Sequence, residues 1–318
     1  MYRIWFERAP SPSFMHLLDD AVSLLGPANA TPATPFIALP SAEGIIAAAR
    51  LRYDDAVMAQ APGLRVIARV GIGVDNIDLE AATRRGIAVC NAPDGPTIST
   101  AEHTILLLLA VVKELRQIDR LMRQGGKVDF FNAYHGREAC GLTLGLVGVG
   151  RIGGQVAKIA HTLGMQVLAF DPFAPVDRPA ELQVERTASL EALLRQSDVV
   201  SLHLPLSAAT YQLIDAARIA QMKPGAYLIN TARGGLVDEA ALLAGLEQGH
   251  LRGAGLDVFH HEPPDPSHPL LQRDDVIATP HIAGVAEEAK QRLWHTAIEQ
   301  VLQVLRGERP QYLVNSLG

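Results

Sequence analysis

The sequence predicts an α/β protein built on two doubly wound parallel sheets. Short apolar, β-prone runs alternate with helical patterns along nearly the whole chain, which requires parallel strands with helices on both faces. At 318 residues the chain is long for a single core, so two domains are expected. Midway, the apolar run that ends at Val147 meets Gly148, Gly150 and Gly153, spaced G-x-G-x-x-G, and a helical pattern follows at once.

In the first third, Ile4 to Phe6, Gly44 to Ala49, Leu64 to Val70 and Ile87 to Cys90 read as short buried strands. Helical patterns over Phe14 to Leu25, Asp54 to Ala61 and Asp78 to Arg85 fill the gaps. Pro27, Pro32, Pro35 and Pro40 mark an irregular connection. After the strand ending at Val70, the run from Gly71 to Asp78 permits a sharp turn. Its N–H groups are free to face an anion; the plainer reading is a strand-to-helix turn capped by Asp75 or Asp78.

Ala92 to Pro96 breaks the chain, and Ser99 with Glu102 forms a capping-box pattern. A helix is expected from there to about Gln124, stopped by Gly125 and Gly126. Its apolar middle, Ile105 to Val112, must be buried between layers. Next comes the glycine unit: strand to Val147, helix Ile152 to Leu163, strand Met165 to Phe170. Further strands are expected at Val199 to Leu204, Ala226 to Asn230, Ala254 to Val258 and Val276 to Ala278. Helices are expected at Leu190 to Gln196, Ala216 to Met222 and Asp238 to Gln248, with a last one over Val285 to Arg306 returning to the first domain.

Composition narrows the function. A content of 48% hydrophobic and 19% charged residues is ordinary for a globular protein. The net charge of −6, with no basic run, argues against nucleic acid or an anionic membrane as partner. Two cysteines, Cys90 and Cys140, make no disulfide framework, and Tyr2 to Phe6 is too short for a signal peptide. A cytoplasmic protein is expected.

The glycines have separate mechanical tasks. Gly148 allows the tight turn, Gly150 lets a pyrophosphate approach the backbone, and Gly153 lets helix and strand pack closely. The helix start offers N–H groups and the positive end of its dipole to that anion. Asp171 follows the next strand, near the ~20-residue distance at which a carboxylate meets the adenosine ribose. It favours NAD, because it repels the extra phosphate of NADP.

Three further stretches stand at strand ends, where ligands bind in open α/β sheets. Arg233, flanked by glycines, has the planar fork suited to a carboxylate. Asp257 can accept from an amide such as the carboxamide of nicotinamide, and Glu262 is fixed by the prolines behind it. His281 can donate or take one proton near neutral pH, and a carboxylate beside it would stabilise the imidazolium. His260, His261, Glu262, Asp265 and His268 lie close in sequence, but a proline-rich loop gives no reason to expect convergent ligands, and no metal is expected. His103 reads as a structural histidine.

These residues together carry a resemblance. The runs Val70 to Asp78, Ser99 to Thr104, the glycine fingerprint, His203 to Leu206, Asn230 to Gly235, Leu256 to Phe259 and Thr279 to Gly284 resemble the D-isomer-specific 2-hydroxyacid dehydrogenases. That family includes phosphoglycerate dehydrogenases and glyoxylate/hydroxypyruvate reductases. The resemblance implies a flavodoxin-like substrate domain (1–98 and 286–318) and a Rossmann NAD-binding domain (99–285). It implies Arg233, Glu262 and His281 as the catalytic set, with His281 as acid/base and Glu262 its partner.

For the cofactor, NAD, it implies Gly148, Gly150, Arg151, Ile152, Gly153, Asp171, His203, Pro205, Thr231, Arg233, Asp257, His281 and Gly284. For a small 2-keto or 2-hydroxy acid it implies Val70, Gly71, Ile72, Gly73 and Val74, with Arg233 and His281. The family is usually dimeric through the helix after Ser99, so a homodimer is expected. The sequence departs from the family at Pro96, His260, Ala286 and the run Ala49 to Tyr53, which leaves the acid itself open. Two alternatives stand beside reduction of a small keto acid: oxidation of phosphoglycerate, and an NAD(H)-sensing protein resembling the C-terminal-binding corepressors.

Overall fold

The computed structural model describes residues 1–10, 12–18, 22–26, 35–125, 129–175 and 177–317. Two compact units emerge: Met1–Pro96 with Val285–Gly318, and Thr97–Gly284.

Unit 1 is a five-stranded sheet of β1 (Tyr2–Phe6), β2 (Val22–Leu25), β3 (Gly44–Ala47), β4 (Val66–Arg69) and β5 (Ala88–Cys90). Its order is β2-β1-β3-β4-β5 and every pair is parallel, the flavodoxin-like order expected. Ile4, Trp5, Phe6, Ile45, Ile46, Val66 and Ile67 are fully buried, as strands covered on both faces must be. Helices α1 (Asp55–Ala59) and α2 (Leu79–Arg84) start at Asp54 and Asp78, whose carboxylates accept from Val57 N and Ala81 N. The last helix, Glu287–Arg306, lays Ala297, Ile298, Val301, Leu302 and Leu305 on this sheet. Gly44 permits the contact: a Cβ there would stand 2.8 Å from Val301 Cγ1. Arg65 donates to the carbonyls of Val304 and Leu305 at that helix's negative end.

One expectation fails here. Phe14 to Leu25 is no helix: a short 3₁₀ turn covers Pro12–Leu17 and Val22–Leu25 is the edge strand β2. Pairing with β1 decides the outcome, Ile4 lying opposite Leu24 and Trp5 opposite Leu25, which no local pattern reveals. Of the prolines in the expected connection, Pro27 and Pro32 lie outside the described residues, as does Gly126.

Unit 2 is a seven-stranded parallel sheet: β6 (Thr143–Val147), β7 (Gln166–Phe170), β8 (Glu185–Arg186), β9 (Val199–Leu202), β10 (Ala226–Asn230), β11 (Leu251–Leu256) and β12 (Val276–Ala278). The order β12-β11-β10-β9-β6-β7-β8 reverses direction between β9 and β6, the Rossmann switch point. Helix α3 (Thr97–Val112) packs on β10 and β11 and on the later helix Arg151–Thr162. The long helix expected to Gln124 is in fact two, α3 and α4 (Leu115–Arg123), because Glu114 turns to the left-handed region (φ 51°). Ser99 is not the cap either: α3 already begins at Thr97, and Ser99 is buried inside it. A short α5 (Phe130–Ala133) precedes β6, and α6 (Arg151–Thr162) follows it.

Candidate active site

The carboxyl ends of six strands in unit 2 carry the sequence-identified residues. After β6, the glycine turn is shaped by contact as expected. A Cβ on Gly148, at φ 96°, would sit 2.4 Å from the His203 carbonyl oxygen, and one on Gly153 would sit 2.2 Å from that of Gly148. Gly150 differs: a Cβ there would meet nothing within 4 Å. Gly150 is also the N-cap of α6 and no side chain caps that end, so its first N–H groups face open space on a bare backbone. This cradle fits a pyrophosphate. Arg151 and Ile152 begin α6, Arg151 exposed and Ile152 packed against the core.

Asp171, at the end of β7, is tied to the cradle. Its Oδ2 accepts from Val149 N at 2.9 Å, and its Oδ1 accepts from Phe173 N and Ala174 N, both at 3.0 Å. Arg178, not singled out by sequence, donates to the Val149 carbonyl at 3.3 Å and so braces the same turn.

After β9, His203 is half-buried with Nε2 2.9 Å from Ser201 Oγ, while Pro205 is exposed and accepts from Thr210 Oγ1. Burial pushes the His203 imidazole down to about 4. The unfolded chain therefore binds a proton there below about 6.5 that the native state refuses until about 4. Stability should fall as pH drops through that window, by up to about 3 kcal/mol. Urea unfolding across this window should show a shallower loss in His203→Gln than in the parent; an identical slope would remove His203 as the cause.

After β10, Asn230 folds the loop: its Nδ2 donates to the Arg233 carbonyl and its Oδ1 accepts from Ala232 N. Thr231 is buried beside Thr104 of α3, hydroxyl to hydroxyl at 2.8 Å, and Thr104 in turn donates to the Thr100 carbonyl. Gly234 then touches the loop after β11 so closely that a Cβ would stand 2.0 Å from the Phe259 carbonyl. Only glycine allows this approach, and it brings the Arg233 guanidinium into the field of Glu262.

Glu262 accepts from Phe259 N at 3.1 Å and lies 2.6 Å from His281 Nδ1. Burial works against its charge, yet the His281 bond and charge, the Phe259 N–H and Arg233 hold its carboxyl below the usual range. His281 is half-exposed and adopts φ 56°, a left-handed conformation costly for a residue with a side chain. Its N–H donates to the Asp257 carbonyl at 2.7 Å. The Asp257 carboxylate completes the clamp, accepting from Ile282 N (2.9 Å), Ala283 N (2.8 Å) and Thr279 Oγ1 (2.5 Å). Gly284 ends the unit.

Asp257 therefore holds the His281 loop, a task the sequence did not reveal. His103 joins it: Nε2 lies 2.9 Å from Thr279 Oγ1 and 3.7 Å from Asp257 Oδ1. Because the Thr279 hydroxyl hydrogen goes to Asp257, His103 Nε2 is the donor to Thr279. His103, which reads from the sequence as a structural histidine, is satisfied by these contacts.

In unit 1, the turn after β4 is set by Val70 N on the Ala47 carbonyl and by Gly71, whose carbonyl accepts from Ala92 N. Asn91 Nδ2 donates to the Ile72 carbonyl, and Ile77 N to that of Val74. Among the described residues, the N–H groups of Ile72, Gly73 and Val74 have no hydrogen-bond partner. Asp78, not Asp75, caps the helix that follows. No group of three or more His, Cys, Asp or Glu among the described residues is arranged to hold a metal, and no described helix is long and apolar enough to cross a membrane.

Residues 105–283 match the family model of the D-isomer specific 2-hydroxyacid dehydrogenase NAD binding domain. The chain is 41% identical over 277 residues to the D-3-phosphoglycerate dehydrogenase of Archaeoglobus fulgidus, covering 87% of this chain and 52% of that one. It is 42% identical over 266 residues to the glyoxylate reductase of Thermofilum pendens, covering 83% and 78%. The crystal structure of the Aquifex aeolicus D-lactate dehydrogenase complexed with NAD and lactic acid superposes with a TM-score of 0.82, at 31% identity over 96% of each chain. The chain spans about half the length of the phosphoglycerate dehydrogenases it matches.

Proposed function

The chain belongs to the D-isomer specific 2-hydroxyacid dehydrogenase family, and from that premise we propose that it interconverts a small 2-keto acid and its D-2-hydroxy acid with NAD(H). The observation that carries the reading is the His281–Glu262 pair at 2.6 Å, with Arg233 beside it, on the same sheet edge as the glycine cradle. Gly148, Gly150, Arg151, Ile152, Gly153 and Asp171 would hold the dinucleotide, with His203 and Pro205 alongside. Bound NAD(H) supplies or accepts the hydride.

In reduction, His281 gives its proton to the keto oxygen, and the ionised Glu262 stabilises the charged ring before that transfer. Arg233 grips the substrate carboxylate through two parallel N–H donors, and with the imidazolium it offsets the negative charge developing on the oxygen. The N–H groups of Ile72, Gly73 and Val74 in unit 1, unpartnered among the described residues, suit a carboxylate. Thr231, Asp257 and Gly284 support the nicotinamide side, Asp257 by fixing the loop of His281.

NADH absorbance against glyoxylate, hydroxypyruvate, pyruvate, phenylpyruvate, 2-ketoisocaproate and phosphohydroxypyruvate tests the reading. Turnover on at least one, giving the D-hydroxy acid, is expected. Tight NADH binding with no turnover on any acid would replace the enzyme by an NAD(H)-binding sensor.

We further infer a homodimer formed through unit 2. Large apolar side chains stand in solvent there: Leu106 of α3 is 55% exposed, Leu115 and Met122 of α4 are 54% and 63%, and Phe131 of α5 is 94%. Light scattering should give twice the subunit mass for the parent and one subunit mass for the pair Leu115→Asp with Phe131→Asp. A monomeric parent would overturn the inference. Two unpaired cysteines, Cys90 and Cys140, fit the reducing cytoplasm that we assign as its compartment.

A further inference from the structure

The pocket where an adenosine ribose would sit is not lined as a simple NAD pocket. It is a cavity of about 380 Å³ bordered by Phe170, Asp171, Pro172, Arg186, Thr187 and Ala188. Two of these lining residues carry opposite charges.

Asp171 is the acceptor expected for the two ribose hydroxyls, but its carboxylate already takes the N–H groups of Val149, Phe173 and Ala174. A carboxylate offers about four acceptor positions, so little capacity remains for a diol. Arg186 enters from the neighbouring edge strand β8, fifteen residues on in sequence, and its Nη2 donates to the Asp171 backbone carbonyl at 3.4 Å. Arg186 is exposed and forms no ion pair among the described residues. Most of its five donors are therefore available to an anion. Thr187 adds no competing donor, since its hydroxyl serves the carbonyls of Ala169 and Ser189.

We propose that Arg186 gives this pocket a seat for the 2′-phosphate, so that the chain takes NADP(H) as well as NAD(H). The proposal rests on the dinucleotide reading above and names the residue that widens it. Asp171 opposes the phosphate and Arg186 attracts it, and the pair makes the pocket close to neutral. A guanidinium matches a phosphate with parallel hydrogen bonds, a geometry that a ribose hydroxyl cannot use as fully.

Calorimetric titration of the full chain with NADH, NADPH, ADP and 2′,5′-ADP tests this by binding alone. The parent should bind 2′,5′-ADP at least as tightly as ADP, and NADPH within about tenfold of NADH. Arg186→Ala should weaken 2′,5′-ADP and NADPH by about tenfold or more and leave ADP and NADH within about twofold. Asp171→Asn should strengthen 2′,5′-ADP. Equal weakening of all four ligands in Arg186→Ala would make Arg186 a general adenosine contact and overturn the proposal. So would a parent that binds NADH but not 2′,5′-ADP, and in that case the dinucleotide reading survives. A parent that binds neither NADH nor NADPH removes both.

Discussion

Alanine in place of His281 is expected to lower kcat for keto-acid reduction by about 100- to 10,000-fold, the usual contribution of a positioned acid/base. NADH affinity should change little, because the glycine cradle and Asp171 lie at the ends of β6 and β7. The loss follows from geometry. In the proposed reaction His281 carries the proton: its Nδ1 is engaged by Glu262 at 2.6 Å, leaving Nε2 for the substrate oxygen. Its loop is held by Asp257 through three donors, so the ring is presented without a search for its position. Steady-state kinetics with the best acid of the panel decides the matter, and a decrease of less than about tenfold would remove His281 as the acid.

Glu262→Gln tests the partner. The native carboxyl is held below the usual range, so its charge persists at neutral pH and is lost only as pH falls through that lowered value. The variant lacks the charge at every pH. Its reductive rate should fall at neutral pH, and the acid limb due to Glu262 should disappear from its pH profile.

The second large effect is expected at Arg233. Alanine there should lower kcat/KM by about 1,000-fold, divided between a raised KM and a lowered kcat. Both terms change because, in the proposed mechanism, the guanidinium binds the carboxylate in the ground state and also offsets charge on the oxygen in the transition state. Lysine should recover only a small part, since a point charge cannot reproduce the planar fork. One Nη1 hydrogen of Arg233 bonds to the Ala232 carbonyl and fixes the side chain's approach, which a lysine would also lose. An unchanged kcat/KM in Arg233→Ala would sink the assignment.

Much of this site was legible before any fold was known, because its signals are local. A strand, three glycines and a helix declare a nucleotide cradle within about a dozen residues: Gly148 and Gly153 stand where a Cβ would clash, and Gly150 leaves open space at the helix start. Asp54 and Asp78 announce the helices they cap within a single turn. The alternation of strand and helix determined two parallel sheets, and the residues after the strands marked the edge that carries the chemistry.

Tertiary structure alone decided the rest. Val22–Leu25 became a strand because β1 lies beside it, and a single helix became two where Glu114 reversed its dihedral sign. Asp257 holds the His281 loop with His103 behind it, Gly234 packs on the Phe259 carbonyl to bring Arg233 toward Glu262, and Arg186 faces Asp171 across a strand boundary. Each joins segments from different elements, and their meeting depends on how the crossover helices stack adjacent strand ends. Periodicity and capping act over one or two turns, so the sequence alone marked the candidate residues and the sheet edge that carries them; packing decided which of them touch.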